Sequence, residues 1–229
     1  MTTALPPDAG KTIARPQIKI CGLTSAGEAE ACVDAGADAI GFISYSRSPR
    51  HLPDDKIRAI TRRLPAHICP VGVFVNESYA RIMQAVDTGG LRAVQLHGQE
   101  EPDLVDRLAD AGLVVIKALF VNAAPPLEAA HRFRPAAFLV ECAGGPLPGG
   151  NALAWNWSDA RKVSAAWPVV LAGGLTPQNI QDAIAAGRPD AVDVSSGVEI
   201  APGRKDIEKV TAFCQAVAAC GDSSGRPLF

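Results

Sequence analysis

Aromatic side chains make up only 5% of the 229 residues, which leaves little from which to build a stacking platform for single-stranded nucleic acid. An excess of either charge is also missing, since 22 Lys and Arg face 24 Asp and Glu for a net charge of −2. The chain therefore has no basic footprint for nucleic acid, and an anionic ligand has to be held by local features. No stretch approaches the roughly 20 apolar residues of a membrane span. The proline-containing start, Met1 to Arg15, lacks the apolar segment of a signal peptide, so the expected location is the cytoplasm. Six cysteines, at 21, 32, 69, 142, 214 and 220, form no Cys-x-x-Cys pair and no Cys/His ligand spacing. That pattern predicts neither a disulfide framework nor a metal site, and most of the thiols read as small buried hydrophobes.

What is present is a regular alternation. Short apolar, β-branched runs recur roughly every 25 residues: Gln17 to Cys21, Ala39 to Ile43, Ile68 to Val75, Ala93 to Leu96, Val114 to Leu119, Ala137 to Glu141, Val169 to Ala172 and Ala191 to Val194. Helical periodicity fills gaps between them, at Glu28 to Ala35, Asp54 to Leu64, Ser78 to Val86, Asp103 to Ala111, Gln178 to Ala186 and Ile207 to Ala219. Three helices run into Ala-Gly pairs whose glycines, 36, 112 and 187, are expected to cap them in the left-handed conformation. These glycines stand 76 and 75 residues apart, which suggests a period of three strand–helix pairs. Thr176-Pro177 is expected to open a helix with a capping hydroxyl and a proline in the first turn.

Eight such units point to an α/β fold, a single-domain (β/α)₈ TIM barrel over residues 17–220, in which closure satisfies both sheet edges. An open doubly wound sheet is the runner-up. It is disfavoured because no Gly-x-Gly-x-x-Gly follows the first strand and the glycine pairs come after strands seven and eight, where barrels place phosphate. Residues 1–16 and 221–229 read as poorly packed tails.

On this fold the chemistry belongs at the carboxyl ends of the strands. Strand one ends Lys19-Ile20-Cys21-Gly22-Leu23-Thr24, with a thiol that can act as a base if a cation or helix end favours the thiolate. Strand seven runs into Ala172-Gly173-Gly174-Leu175 and strand eight into Ser195-Ser196-Gly197-Val198-Glu199. As a pair these loops are a phosphate signal, since glycines let backbone N–H groups approach an anion closely and a short helix after strand eight adds its positive end. After strand two, Arg47 and Arg50 flank Ser48-Pro49, and an arginine fork suits a carboxylate. His97 closes strand four in Val94-Gln95-Leu96-His97-Gly98 and can line the mouth either as a structural or as a catalytic imidazole. Glu141 closes the apolar strand six, where desolvation suits an acid's role. Beyond it, Gly144 to Asn151 reads as a loop able to close over a ligand, and Trp155 and Trp157 read as packing residues.

Taken in order, these motifs resemble the phosphoribosylanthranilate isomerase family over about Ile18 to Ala219. The most specific pieces are Lys19 to Thr24, Ser48-Pro49-Arg50, Val94 to Gly98, Leu171 to Leu175 and Ser195 to Glu199. The resemblance implies an Amadori rearrangement of N-(5-phosphoribosyl)anthranilate to 1-(2-carboxyphenylamino)-1-deoxyribulose 5-phosphate in tryptophan biosynthesis, with no cofactor. It implies Cys21 as general base, Arg50 as the contact to the anthranilate carboxylate, and a phosphate cradle at Gly173, Gly174, Ser196 and Gly197. The family's acid is an aspartate where this chain has Glu141. Two further departures are Gly149-Gly150-Asn151-Ala152 in place of Gly-Gly-Thr-Gly and Asn156 in place of an aspartate. The expected partner is the phosphorylated aminosugar, to a monomer or homodimer, with no membrane or nucleic acid. The competing readings are a sibling phosphosugar barrel and a phosphate-ligand binding barrel without catalysis.

Overall fold

The structure is a computed structural model that describes residues 15–143, 155–221 and 226–229. Eight parallel strands close into a barrel in simple sequential order: β1 (Gln17–Cys21), β2 (Ala39–Ile43), β3 (Cys69–Phe74), β4 (Ala93–Leu96), β5 (Val114–Phe120), β6 (Ala137–Glu141), β7 (Val169–Leu171) and β8 (Ala191–Val194). Five of these keep the bounds read from the sequence, β5 and β7 move by one residue at one end, and β3 is shorter by one residue at each end. Closure is made by β8 against β1, with Lys19 opposite Asp193 and Ile20 opposite Val194.

Alternation along each strand divides its side chains between two cores. Ile18 and Ile20 of β1, Val94 and Leu96 of β4 and Phe138 and Val140 of β6 pack outward against the helices. Ala93, Ile116, Ala118, Leu139, Val170 and Ala191 fill the barrel interior. The outer ring contains α1 (Ala26–Asp34), α2 (Asp54–Thr61), α3 (Tyr79–Gly89), α4 (Pro102–Asp110), α5 (Arg161–Ser164), α6 (Ile180–Gly187) and α7 (Ile207–Ala218). Between β5 and β6 the connection is a 3₁₀ segment, Leu127–Arg132, and α5 is a single turn preceded by another 3₁₀ segment, Trp157–Ala160. The glycine period is thereby explained: α1, α4 and α6 follow β1, β4 and β7, three units apart each time.

Three expectations are corrected. Gly36 and Gly112 do take positive φ, but Gly187 does not; Arg188, at φ 50°, makes the left-handed turn after α6. Gly187 is a glycine for a different reason, because a Cβ there would stand 3.1 Å from the Trp157 carbonyl oxygen and 3.2 Å from Leu171. Thr176 is not the cap of α6, which begins at Ile180 behind Asn179. The Asn179 carboxamide instead ties the preceding turn, accepting from the Thr176 amide at 2.8 Å and donating to the Gly174 carbonyl at 2.9 Å.

The third correction concerns the C-terminal tail. Residues 226–229 are packed across the amino-terminal end of the barrel rather than loose. The Gln17 carboxamide oxygen accepts from the amides of Leu228 and Phe229, at 2.6 and 3.1 Å, and Arg226 bonds Asp190. Leu228 is buried and belongs to the interior core alongside Cys69 and Ala93. The physical reason is that an eight-stranded barrel leaves apolar side chains exposed at its floor unless something covers them. Leu228→Ala is expected to lower the unfolding free energy by about 2 kcal/mol, the low end for a buried leucine at the edge of a core. A urea titration checks this, and an unmoved midpoint would show that Leu228 is not part of the folded core.

Candidate active site

Apart from Gln17 at the floor, the buried polar side chains of the barrel interior lie, among the described residues, toward the carboxyl ends of the strands, in two groups. The first lies at the seam between β1 and β8. The inward side chains of β1 are Gln17, Lys19 and Cys21, and Lys19 is completely buried, donating to the Asp193 carboxylate at 2.9 Å. Cys21 sits one step above, also buried. Gly41 of β2 makes room for it, since a Cβ there would be 2.7 Å from the Cys21 sulfur and 3.1 Å from the Lys19 side chain. Burial pushes the Cys21 thiol up from its ordinary pKa, and the Lys19 ammonium opposes that shift. The cation expected to favour the thiolate is present, but desolvation outweighs it and the thiol is the favoured form. Burial disfavours the Lys19 cation, yet Asp193 and Cys21 together hold its pKa above the usual lysine value.

The second group joins β4 to β6. Gln95 and His97 are two residues apart on the inward face of β4, and both are buried. The Gln95 amide nitrogen lies 3.1 Å from His97 Nδ1, and His97 Nε2 lies 2.9 Å from Glu141 Oε1. With the Gln95 NH₂ turned toward the ring, Nδ1 is the acceptor, Nε2 carries the proton, and His97 donates to Glu141. Phe120 closes the imidazole edge-on, with ring centroids 5.5 Å apart. The loop bearing His97 is held from outside the barrel by residues the sequence reading passed over. Lys117, fully buried behind β5, donates to the Gly98 carbonyl at 2.8 Å and to Glu100 at 2.9 Å. Burial pushes the Lys117 ammonium down and Glu100 opposes the shift.

Arg50 is buried whereas Arg47 is exposed, so the structure separates the two arginines of the loop after β2. The Arg50 fork is already engaged: Nε and Nη2 donate to Glu199 Oε1 and Oε2, at 2.9 and 2.7 Å. Glu199 also accepts from Lys205 at 2.8 Å, and burial, which would raise its pKa, is outweighed by these two cations. The expected free fork is therefore a preformed ion pair that stretches Arg50 over Gly22. A Cβ at Gly22 would meet the Arg50 side chain at 2.7 Å and the Ser195 hydroxyl at 3.1 Å, and its φ of 79° is left-handed as well. Arg50 thus lies directly beside Cys21.

Between the two groups stand the loops after β7 and β8. Gly173 and Gly174 adopt φ values of 83° and 70° in succession, a path closed to side-chain-bearing residues without strain. The carbonyls of Ala172, Gly173 and Gly174 are tied back by Trp155, Trp157 and Asn179, through Nε1 at 3.0 Å, Nε1 at 3.3 Å and Nδ2 at 2.9 Å. The amides of Gly173 and Gly174 have no acceptor among the described residues. Gly197 lies in the 3₁₀ turn Ser196–Val198, and a Cβ on it would collide with the Leu175 carbonyl, so the two loops lie backbone against backbone. The two tryptophans accordingly brace the β7 loop rather than only packing. Gly144 to Asn151, with Ala152, lies outside the described residues.

In ring order, β6 with Glu141 is followed by β7 and β8 with their glycine loops, then β1 with Cys21 and β2 with the Arg50 loop. A carboxylate and a thiol thus flank the two glycine loops. Residues 18–216 match the family model of N-(5'-phosphoribosyl)anthranilate isomerase. The chain belongs to the N-(5'-phosphoribosyl)anthranilate isomerase family. It is an isomerase of tryptophan biosynthesis. The N-(5'-phosphoribosyl)anthranilate isomerase of Desulfatibacillum aliphaticivorans is 49% identical over 214 residues, which cover 93% of this chain and 98% of that one. A solved phosphoribosyl anthranilate isomerase in complex with reduced 1-(o-carboxyphenylamino)-1-deoxyribulose 5-phosphate superposes with a TM-score of 0.79 at 36% identity, covering 89% of this chain and 99% of that one. Another, described as monomers generated from the dimeric Thermotoga maritima protein, gives 0.79 at 35%, with the same coverage.

Within this isomerase, Glu199 pairs with two buried cations at the mouth, Arg50 and Lys205, and the sequence marked it only as part of its motif. Its signal was visible only as a carboxylate following Ser195 to Val198, with nothing to name Arg50 as its partner 149 positions away. Glu199→Ala leaves two buried cations unpaired and is expected to destabilise the fold by about 3–5 kcal/mol, whereas Glu199→Gln keeps hydrogen-bond acceptance and loses less. Denaturant titrations of the two variants decide it; equal midpoints to wild type would remove Glu199 from the stability of the mouth.

Proposed function

We propose that this isomerase catalyses the Amadori rearrangement of N-(5'-phosphoribosyl)anthranilate in the cytoplasm, with Glu141 as general acid and Cys21 as general base. The observation that carries the reading is the ring order: an acid on β6 and a base on β1 with the glycine loops of β7 and β8 between them. A ligand whose phosphate rests on the amides of Gly173, Gly174, Ser196 and Gly197 has its sugar carbons between Glu141 and Cys21. The product analogue in the related solved structure bears a phosphate and a carboxyphenyl group by name. Arg50 extends beside Cys21 and presents the remaining edge of its guanidinium to that carboxylate, pre-oriented by Glu199.

The chemistry follows from these positions. Glu141 protonates the furanose ring oxygen, the C1–O bond breaks and the nitrogen lone pair forms the iminium. The cation acidifies C2–H, and Cys21 removes that proton as thiolate, giving an enolamine that tautomerises to the ketone. His97 Nε2–H bonds Glu141 Oε1 and so stabilises the carboxylate left after proton donation. Because burial favours the neutral thiol, thiolate is the scarce form, and Lys19 beneath it is the group that keeps the form accessible.

The direct assay is the change in anthranilate fluorescence on mixing protein with freshly generated phosphoribosylanthranilate. Catalytic turnover supports the reading, and a stoichiometric change without turnover leaves a phosphate-ligand binding barrel. Glu141→Gln is expected to lower kcat by roughly 10²–10⁴-fold with phosphate affinity retained, and Glu141→Asp to keep far more activity. Cys21→Ala should lower kcat at least about 10²-fold, while Arg50→Ala acts mainly on KM, as expected for a contact remote from the reacting carbons. Turnover needs Cys21 as thiolate and Glu141 protonated at once, so above the raised thiol midpoint, where no more thiolate is gained while the acid's proton is still being lost, kcat/KM is expected to fall with pH. Lys19→Met moves that midpoint higher still. A rate independent of pH above the midpoint would remove this acid–base pair.

A further inference from the structure

Gln95 is a buried side chain that the reaction as derived does not use. It is 2% exposed, on the inward face of β4 two residues below His97. Its carboxamide makes one hydrogen bond, from Nε2 to His97 Nδ1 at 3.1 Å. Its Oε1 is buried and has no hydrogen-bond partner among the described residues. Either orientation of the amide leaves one buried polar atom unpaired, so the choice between them is made by what the other end of the amide meets. Here that is the contact with the imidazole.

The two orientations of the amide have opposite consequences for His97. With NH₂ toward Nδ1, the ring nitrogen must be unprotonated, His97 is neutral, and its single proton is on Nε2, directed at Glu141 Oε1 2.9 Å away. With the oxygen toward Nδ1, the contact would demand a proton there, and Nε2 would then either accept the Glu141 proton, turning it away from the substrate, or stay protonated as imidazolium. An imidazolium against Glu141 holds the carboxylate in its ionised form and withdraws it from proton donation. Phe120 covers the ring, and Glu141 is the ionisable side chain bonded to it, so no other described contact sets the tautomer.

We propose that Gln95 is a positioning residue that fixes His97 as the neutral Nε2–H tautomer, so that Glu141 Oε1 accepts from the ring while Oε2 remains to carry the catalytic proton. This rests on Glu141 acting as the acid. The side chain acts through His97 and touches no substrate. Gln95 is suited to it because it is polar enough to bond Nδ1 but has no charge to attract a second proton.

The test combines spectroscopy with kinetics on the full chain labelled with ¹⁵N-histidine, the His97 signals being assigned by their loss in His97→Gln. In wild type at pH 7.5, Nδ1 is expected at the shift of an unprotonated ring nitrogen and Nε2 at that of a protonated one. Gln95→Glu places an acceptor against Nδ1 and is expected to protonate both nitrogens; Gln95→Met removes the donor and is expected to leave a mixture of the two neutral tautomers. Both variants should lose kcat by about tenfold or more while KM changes by less than about twofold, the signature of an effect on the chemical step. Gln95→Met, similar in volume and uncharged, keeps the test available if the buried charge of Gln95→Glu prevents folding. Identical His97 shifts in wild type and Gln95→Met overturn the proposal, as does a Gln95→Met enzyme with wild-type kcat. A wild-type protein that shows the expected tautomer but no turnover instead overturns the assignment of the isomerase reaction, since the nitrogen shifts are read without substrate.

Discussion

The barrel is closed by β8 pairing with β1, and that register sets Lys19 opposite Asp193. A lysine completely buried in a strand interior is tolerable only with a charged partner, and a slip of one residue would turn Lys19 out among the isoleucines and leave Asp193 alone inside. The ion pair therefore favours one closure register, a role in specificity rather than in net stability. The same pair stands directly beneath Cys21. Seam and candidate base thus share a charge, and what specifies the fold also sets the electrostatics of the thiol.

From that seam the rest of the mouth follows in ring order. On one side, Gly41 and Gly22 leave the space into which the Cys21 sulfur and the Arg50 side chain fit. On the other, the glycine loops of β7 and β8 lie backbone to backbone because Gly197 has no side chain to hold them apart. Most polar groups at the mouth are oriented before any ligand arrives: Arg50 by Glu199, Glu141 by His97, His97 by Gln95, the β7 carbonyls by Trp155, Trp157 and Asn179. Such preorganisation lowers the reorganisation needed as charge develops in a transition state.

Much of this was legible in the sequence because it depends on local pattern. Eight apolar runs separated by helical periodicity required parallel strands covered by helices, and the positions of Cys21, His97, Glu141 and the two glycine loops at strand ends needed only the strand bounds to be known. What failed was chemistry that depends on partners far along the chain. Arg50 read as a free fork because nothing near it marks Glu199 as its counterion. Cys21 read as a thiol that a nearby cation could activate, because residue type shows its reactivity and not the depth at which it is buried. Leu228 and Phe229 read as a loose end, since a short segment carries no period, and only the floor of the barrel shows what they cover.

By itself, then, the sequence determined the order of elements, the parallel closed sheet and which side chains stand at the mouth, since these follow from periodicity and from residues that tolerate few backbone conformations. Tertiary structure alone decided which of those side chains meet. The pairings Lys19–Asp193, Arg50–Glu199 and Glu141–His97 join residues 174, 149 and 44 positions apart. Electrostatic interaction strength depends on distance in space and on exclusion of water, and neither is written in sequence separation.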